Sequence, residues 1–376
     1  MEHYLDNSAT TRVCPEAAKA ALEAMLDTYG NPSSTHTKGR EAKALLDASR
    51  KKAAAALGCA PAELYFTSCG SESDNWAIIK GAEAMARRGK HIISSAVEHD
   101  AVGRSLDDLE RRGFEVTRLS PDRDGSVPVS AVEAALREDT ILVSLMLVNN
   151  ETGGGTDIAG VSKAIKRSDS PALLHTDAVQ GFTKLPFTAG SLGAELISVS
   201  GHKIHAPKGI GALYIRSGVK LKTYNLGGGQ EQGLRAGTEA LPQIAAFCEA
   251  CRVAKLGFQQ DQAELTRLKR LALDTLAETL PELRSVGGAA PHILSLSLPG
   301  WRSEVLMNFL EAREIYVSKS SACKKGGRSH VLEAIGLDNR VIDGAIRVGL
   351  SRYTTQADIQ ALCTALRDAR DTLAHS

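Results

Sequence analysis

Lys203 stands in an unusual setting for a lysine. It follows Ser200, Gly201 and His202 at the end of the apolar run LISVS, and the glycine- and proline-containing stretch APKGIGALYIR comes shortly after it. A lysine on a surface helix needs no such surroundings. An amine at the end of a buried strand, beside small and polar residues, can form a Schiff base with an aldehyde. The setting therefore marks Lys203 as a candidate for covalent catalysis.

The elements around this lysine follow an alternating pattern. Apolar, β-rich runs (HIISSAV, FEVTRLS, TILVSLMLV, ALLHTD, LISVSG and GALYIR) are separated by helical patterns such as VSAVEAALRED and GVSKAIKR. This alternation predicts an α/β fold with a mostly parallel sheet covered by helices. A long helical pattern at 242–280 then predicts a connector to a second, smaller α+β domain.

Three segments are predicted from this organisation. Residues 1–12 form an N-terminal arm that packs with the small domain, residues 13–257 form the large domain, and residues 258–376 form the small one. Strand-like HILSLSLP and REIYVSKS, with the helical patterns EVLMNFLEA and QADIQALCTALRDARDTLA, would build the small domain.

Polar residues follow the predicted strands of the large domain. Asn149 and Asn150 come after TILVSLMLV, and Asp177 and Gln180 come at and after the end of ALLHTD. A parallel sheet binds its ligand beyond the carboxyl ends of its strands, so these side chains are candidates for a binding site. A buried aspartate at a strand end can also simply satisfy a loop backbone, and that alternative stays open.

Two further positions also allow either a binding role or a structural role. The turn Gly70-Ser71 opens a helix after ELYFTSC, where free N–H groups and the positive end of the helix dipole could hold a phosphate. Serine at a helix start is also an ordinary N-cap. His99 follows the strand-like HIISSAVE, and a histidine there is more often a structural hydrogen-bonding residue.

One cofactor would use all of these residues together. Pyridoxal 5′-phosphate needs a lysine for its aldehyde, an acid for its ring nitrogen, a stacking partner and a phosphate cup. Lys203, Asp177 and His99 are candidates for the first three roles. The candidates for the phosphate cup are Gly70, Ser71, Ser200 and His202.

Composition limits the classes of partner. The 376 residues, 43% of them hydrophobic, can bury a large core. The 45 basic and 44 acidic side chains leave a net charge of +1, which does not favour nucleic acid or an anionic membrane. The start MEHYLDNSATTRV does not resemble a signal peptide, and the apolar runs are too short to span a bilayer. We therefore expect a cytoplasmic protein, without nucleic-acid or membrane partners and without a metal.

The chain resembles the cysteine desulfurases of the class V aminotransferase group. The resemblance is carried, in order along almost the whole chain, by YLDNSATT, GNPSSTHTKGR, ELYFTSCGSESDN, VEHDAV, LVNNETG, HTDAVQ, SGHKIHAPKGIGALY, GGGQEQGLRAGT and SSAC. It implies fold-type I, with a seven-stranded, mostly parallel sheet between helices and a smaller α+β domain. It also implies pyridoxal 5′-phosphate as cofactor and a homodimer.

The resemblance assigns roles to particular residues. Lys203 would be the Schiff-base lysine, His99 the stacking residue and acid/base, and Asp177 the partner of the ring nitrogen. Asn150 and Gln180 would lie near the ring hydroxyl. The phosphate would be bound by Gly70, Ser71, Ser200 and His202, and by Thr238 supplied across the dimer.

Cys323 is the thiol that the resemblance selects. It lies in the run VSKSSACKKGGRSHVL, which has no apolar periodicity, whereas Cys248, Cys251 and Cys363 sit at helical spacing and indicate core positions. Lys324 and Lys325 beside it would favour the reactive thiolate. With Lys319, Lys324 and Lys325, this segment carries more basic residues than the family pattern. Cys69 stands where the family has glycine.

Arg347 matches the arginine that clamps the substrate carboxylate, with Asn150 also near the substrate. Arg352 is a nearby alternative, and strand periodicity predicts that the two arginines face opposite sides.

The implied reaction converts L-cysteine to L-alanine. A persulfide would form on Cys323 and pass to a sulfur acceptor or scaffold protein that docks near this loop, for iron-sulfur cluster assembly or another thio-cofactor pathway. A selenocysteine lyase, another pyridoxal-phosphate lyase or aminotransferase of the same fold, and a non-catalytic partner protein remain as alternatives.

Overall fold

The computed structural model describes residues 2–319 and 327–373. Its strands are β1 His3–Tyr4, β2 Leu64–Thr67, β3 His91–Ser95, β4 Glu115–Leu119, β5 Thr140–Ser144, β6 Leu173–Asp177, β7 Leu196–Ser200, β8 Gly211–Ile215, β9 Arg284–Ser285, β10 Ile293–Ser297, β11 Ile315–Tyr316, β12 Ser318–Lys319 and β13 Ala345–Gly349. Its α-helices are α1 Pro15–Leu26, α2 Thr37–Leu57, α3 Gly70–Asn75, α4 Gly81–Met85, α5 Asp100–Arg111, α6 Val129–Ala135, α7 Ile158–Arg167, α8 Ala189–Leu192, α9 Leu241–Thr279, α10 Ser303–Glu311, α11 His330–Ala334, α12 Asn339–Asp343 and α13 Gln356–Thr372.

A seven-stranded sheet carries the site. Its order is β2-β8-β7-β6-β5-β3-β4, in which β3 to β7 run parallel and β8 pairs antiparallel with both β7 and β2. Strands β3, β5 and β7 are buried along their whole length, so side chains on both faces of the sheet are covered there. The predicted α/β fold with a mostly parallel sheet is confirmed.

A second sheet has the order β12-β13-β10-β9 and is antiparallel. Helix α9 connects the two regions. Its first half contributes Phe247 to the core beneath the large sheet, and its second half contributes Leu268 and Leu276 to a separate core beneath the small one. The segment boundaries after residues 12 and 257 remain predictions.

The strand predicted from TILVSLMLV is shorter than expected. β5 ends at Ser144, although the apolar run continues to Val148. Beyond the strand the chain still follows β6, because Leu145 N–H donates to the His175 carbonyl at 3.1 Å and Leu147 N–H donates to the Asp177 carbonyl at 2.9 Å. These bonds lead the asparagines that follow toward the end of β6.

The N-terminal arm binds both sheets. Strand β1 pairs in parallel with β11, and the Asn7 side chain donates to the Gly349 carbonyl at 2.9 Å at the end of β13. A few residues later, Thr11 N–H donates to the carbonyl of His202, just after β7, at 2.9 Å. The arm therefore holds the ends of β7 and β13 in one place.

Replacing Gly349 by alanine should weaken this junction. An added Cβ would lie 2.4 Å from the Ser8 nitrogen and 3.0 Å from the Asn7 nitrogen, so the arm would have to move. We expect the free energy of unfolding, measured in urea, to fall by about 1–3 kcal/mol. Gly103→Ala in α5 is the control, since nothing lies within 4 Å of its added Cβ. Equal stability of the two variants would contradict the prediction.

Candidate active site

A pocket of about 320 Å³ opens beyond the carboxyl ends of β3, β5, β6 and β7. The residues that line it include Gly70, Ser71, His99, Asn150, Asp177, Gln180, Ser200, His202, Lys203 and Arg347. The fold thus brings together side chains that are up to 277 positions apart. Of the predicted site residues, Thr238 is exposed and does not line this pocket, and Cys323 lies outside the described residues.

Lys203 is positioned by the turn that follows β7 and by the N-terminal arm. It ends the short 3-10 turn Gly201–Lys203. Its Nζ donates to the carbonyl oxygens of Ser8 at 2.6 Å and Ala9 at 2.7 Å. These neutral acceptors hold the amine at the pocket wall with two bonds of ordinary length.

Asp177 ends β6 and is almost fully buried. One of its oxygens, Oδ1, accepts the Val179 N–H at 2.9 Å. Burial raises the pKa of Asp177, while the charges of His99 and Lys203 oppose that shift. The carboxyl therefore does satisfy a loop backbone, as the alternative interpretation held, and it also lines the pocket.

A second buried carboxyl, Asp74 of α3, lines the same pocket. Burial, and then the charge of Asp177, raise the pKa of Asp74 well above its usual range. Beside it, burial lowers the pKa of His175 to about 3, so this histidine is neutral at pH 7. Burial therefore favours the protonated form more strongly at Asp74 than at Asp177, where the charges of His99 and Lys203 oppose the rise in pKa.

His99 caps a helix and also lines the pocket. It is the N-cap of α5, and its Nδ1 accepts the Ala101 N–H at 3.1 Å. In the neutral ring the proton must then be on Nε2, the other nitrogen. The structural role considered for this residue is therefore present, and it defines the tautomer of a side chain that lines the pocket.

One corner of the pocket fits a phosphate group. The helix that starts at Gly70 receives no side-chain hydrogen bond from its N-cap residue, Cys69, so its first N–H groups remain available. Within the described residues, the buried Ser200 hydroxyl has no partner. A Cβ on Gly70 would lie 3.0 Å from the Val179 side chain and 3.3 Å from Ser200 Cβ, so glycine preserves this space.

His202 adds a neutral ring to this side of the pocket. Burial, followed by the charge of Lys203, lowers the pKa of His202 to about 4. Its carbonyl accepts both the N–H and the hydroxyl of Thr11, each at 2.9 Å. The imidazole would therefore bind an anion through a hydrogen bond rather than through charge.

The two asparagines after β5 differ in role. Asn149 is structural, because its Oδ1 accepts the N–H groups of Glu151 and Thr152, each at 2.9 Å. Asn150 lines the pocket. Gln180 also lines the pocket, donates to the Ser8 carbonyl at 3.0 Å, and has a buried Oε1 with no partner in the described part of the chain.

Arg347 lies on β13 and is 2% exposed. Its Nη1 donates to the Asn150 carbonyl and its Nη2 to the Ser318 hydroxyl, both at 2.9 Å. The buried Nε has no partner among residues 2–319 and 327–373. A guanidinium with an unused donor at a pocket wall is suited to a carboxylate ligand.

The strand argument that separated the two arginines was wrong. β13 ends at Gly349, so Arg352 lies on the turn beyond the strand rather than on its opposite face. Arg352 does not line the pocket and lies 3.6 Å from the Asp261 carboxylate. Pairing with α9, and not strand alternation, takes this arginine away from the site.

Two glutamates in the pocket wall were not predicted. Glu98 is buried, its Oε1 accepts the Ser95 hydroxyl at 2.6 Å and the Met146 N–H at 3.1 Å, and burial raises its pKa to about 8. Glu151 is also buried, and burial raises its pKa to about 7. Their only sequence signal is adjacency to His99 and Asn150.

The cysteines and the basic residues near position 323 differ in their surroundings. Cys248, Cys251 and Cys363 are buried in the two cores, as their spacing predicts. Cys69 lines the pocket. The unexpected Lys319 forms an ion pair with Glu304 of α10 at 2.6 Å. Lys324 and Lys325 lie outside the described residues.

Comparisons with known proteins agree with this geometry. The family model for class-V aminotransferases matches residues 3–362. The cysteine desulfurase IscS of Methanosarcina thermophila is 40% identical over 361 residues, covering 95% of this chain and 89% of that protein. The chain belongs to the cysteine desulfurase family. The resemblance found in its motifs is therefore confirmed.

Solved structures of the cysteine desulfurase family and its relatives share the fold. A NifS-like protein superposes with a TM-score of 0.94 at 35% identity, covering 99% of this chain and 100% of that chain. A structure described as SspA in complex with cysteine superposes with a TM-score of 0.81 at 31% identity, covering 94% of this chain and 100% of that one. None of the helices within the described ranges is long and apolar enough to cross a membrane.

The buried Glu98 predicts a pH-dependent effect on stability. Its pKa is about 8 in the folded protein against 4.5 in the unfolded chain, so between these pH values only the folded state binds the proton. That stabilisation is complete below pH 4.5 and is lost as the pH rises to about 8. Glu98→Gln should therefore gain free energy of unfolding relative to the wild type as the pH rises, by at most about 1.4 kcal/mol per pH unit.

Urea unfolding between pH 5 and 8 measures this difference. Glu278→Gln, the same substitution at an exposed position of α9, is the control and should follow the wild type at every pH. A constant difference between Glu98→Gln and the wild type would show that Glu98 carries no extra proton in the folded state.

Proposed function

We propose that this member of the cysteine desulfurase family uses pyridoxal 5′-phosphate to convert L-cysteine to L-alanine, and that Cys323 takes up the sulfur. The observation that carries the proposal is the pocket in which Lys203, Asp177 and Arg347 meet. One relative of the same fold is described as a complex with cysteine, which supports the choice of substrate.

The pocket residues fit the cofactor. Lys203 would attach it, the charge on Asp177 would hold a proton on the ring nitrogen, and His99 would stack on the ring and serve as acid/base. Asn150 and Gln180 would lie near the ring hydroxyl. The Oε1 of Gln180 lacks a partner among the described residues. The phosphate would be bound by Gly70, Ser71, Ser200 and His202. When bound, the cofactor withdraws electrons from the substrate carbon.

The protein's own groups then act in order. Arg347 binds the substrate carboxylate through its guanidinium fork. The amine of Lys203, with His99, removes the Cα proton. The thiolate of Cys323 attacks the substrate sulfur, so that an S–S bond forms while the C–S bond breaks. The electron pair of the broken bond stays with the substrate carbon, which takes up a proton as alanine is formed.

We also propose a homodimer in which Thr238 serves the neighbouring site. Thr238 is exposed and lies outside the pocket of its own subunit. The segment before it is held against the large sheet, because Glu231 pairs with Arg50 at 2.7 Å and accepts the Phe66 N–H at 2.9 Å. An exposed residue next to an anchored segment can reach a second subunit. The persulfide sulfur would pass to an acceptor or scaffold protein.

Arg347→Ala should weaken L-cysteine binding by roughly 2–4 kcal/mol, the cost of removing one partner from a buried, charge-assisted pair. Arg352→Ala is the matched control, because it removes an arginine that contacts Asp261 instead of the pocket. Titration of the reconstituted enzyme with cysteine measures both. A larger loss of cysteine affinity in Arg352→Ala than in Arg347→Ala would show that Arg352, and not Arg347, binds the substrate carboxylate.

Cys323→Ser should keep cofactor binding and lose sulfur transfer. A serine hydroxyl is a far weaker nucleophile toward sulfur than a thiolate, and its attack would give no persulfide. Labelled sulfur from cysteine should appear on Cys323 of the wild type and on no residue of the variant, and alanine formation should fall in parallel. Wild-type rates of alanine formation in the variant would instead favour a lyase, such as a selenocysteine lyase, whose reaction does not depend on Cys323.

A further inference from the structure

Two serines on either side of segment 320–326 are held by buried charged residues of the pocket wall. Before the segment, the Ser318 hydroxyl accepts a hydrogen bond from Arg347 Nη2 at 2.9 Å. After it, the Ser329 hydroxyl donates to Glu151 Oε2 at 2.5 Å. The flanks of the segment that carries Cys323 are therefore both bonded to residues that line the pocket.

The bond between Glu151 and Ser329 is buried and uses the only proton of the hydroxyl. Glu151 is 4% exposed and Ser329 is 2% exposed. Ser329 is also the N-cap of α11, because its oxygen accepts the Leu332 N–H at 3.1 Å. The single hydroxyl proton is thus directed at the carboxylate, and the start of α11 is fixed relative to the pocket wall.

The two anchors converge on one turn. Arg347 donates to the carbonyl of Asn150, the residue that directly precedes Glu151. The side chain of Asn149 closes the same turn by accepting two backbone N–H groups, those of Glu151 and Thr152. The turn that presents Asn150 to the pocket therefore also locates both flanks of the cysteine segment.

We propose that Glu151 is a positioning residue for sulfur transfer, acting through its hydrogen bond to Ser329 on the place from which Cys323 meets the substrate. This role rests on the proposed function, because it concerns the attack of Cys323 on the substrate sulfur. Nucleophilic attack requires the reacting atoms to be held close and aligned, so a shift of about 1 Å at an anchor can cost about 100-fold in rate.

Trypsin cleavage after Arg328 tests the anchor without reference to activity. This half-exposed residue directly precedes Ser329. In Glu151→Ala and in Ser329→Ala, cleavage at this bond should accelerate about tenfold, the effect of losing one buried charge-assisted hydrogen bond on local opening. The double variant should be no faster than Ser329→Ala, because that single variant already removes the bond to Glu151 together with the cap of α11. Glu151→Gln keeps an acceptor oxygen and should resemble the wild type.

Thr355→Ala is the control for the loss of an N-cap, since Thr355 caps α13 and does not line the pocket. It should leave cleavage after Arg328 unchanged. Wild-type cleavage rates in both Glu151→Ala and Ser329→Ala would overturn the proposed anchor.

The functional consequence is measured in single-turnover reactions of the reconstituted enzyme with labelled cysteine. Glu151→Ala should slow persulfide formation on Cys323 by about 10- to 100-fold while leaving cofactor affinity and KM for cysteine unchanged. Glu151→Gln should restore the rate. If Glu151→Gln slows persulfide formation as much as Glu151→Ala does, the effect comes from the charge beside Arg347, and the positioning role is overturned. If the wild type forms no alanine from cysteine, the proposed function fails, and the cleavage measurements still decide the anchor.

Discussion

The hydrogen bonds from Lys203 to the carbonyls of Ser8 and Ala9 are the interaction on which the rest of the site depends. They join positions 195 and 194 residues apart in the chain. The same N-terminal arm binds Gly349 at the end of β13, two residues after Arg347. The proposed cofactor lysine follows β7 of the large sheet, and the proposed substrate arginine lies on β13 of the small one, so one extended segment places them relative to each other.

Burial disfavours the charged forms of the carboxyl groups in this pocket. Five carboxyl groups line it, and burial raises the pKa of four of them: Asp74, Glu98, Glu151 and Asp177. Several buried carboxylates side by side would repel one another and lose their hydration. Burial favours the protonated forms of Asp74 and Glu98, whereas the charges of His99 and Lys203 oppose this effect at Asp177, and burial keeps the nearby His175 and His202 neutral.

The turn after β5 links the two halves of the proposed reaction. Asn150 offers its side chain to the pocket and its carbonyl to Arg347, while the next residue, Glu151, holds Ser329. Asn149 closes the turn through its own hydrogen bonds and so holds the backbone of this segment in place. The proposed substrate arginine and the proposed anchor of the cysteine segment are therefore bonded to neighbouring residues of one short turn.

The sequence by itself determined the family, the α/β sheet and most of the pocket, because its motifs place polar residues directly after apolar strands. Lys203, Asp177 and His99 could be found in this way, since their roles depend on local position in the chain. Tertiary structure alone decided which neighbours each one has. The apolar run ending at Val148 predicted too long a strand, and Arg352 was placed on a strand that ends at Gly349.

Glu98, Glu151 and the carbonyls of Ser8 and Ala9 carry no pattern that distinguishes them from ordinary loop residues. Their significance comes from burial and from partners far away in the chain, such as Ser329, which lies 178 positions from Glu151. Periodicity and motif spacing report local structure and leave such contacts open. Burial, the pKa shifts that it causes and long-range hydrogen bonds arise only once the chain has folded.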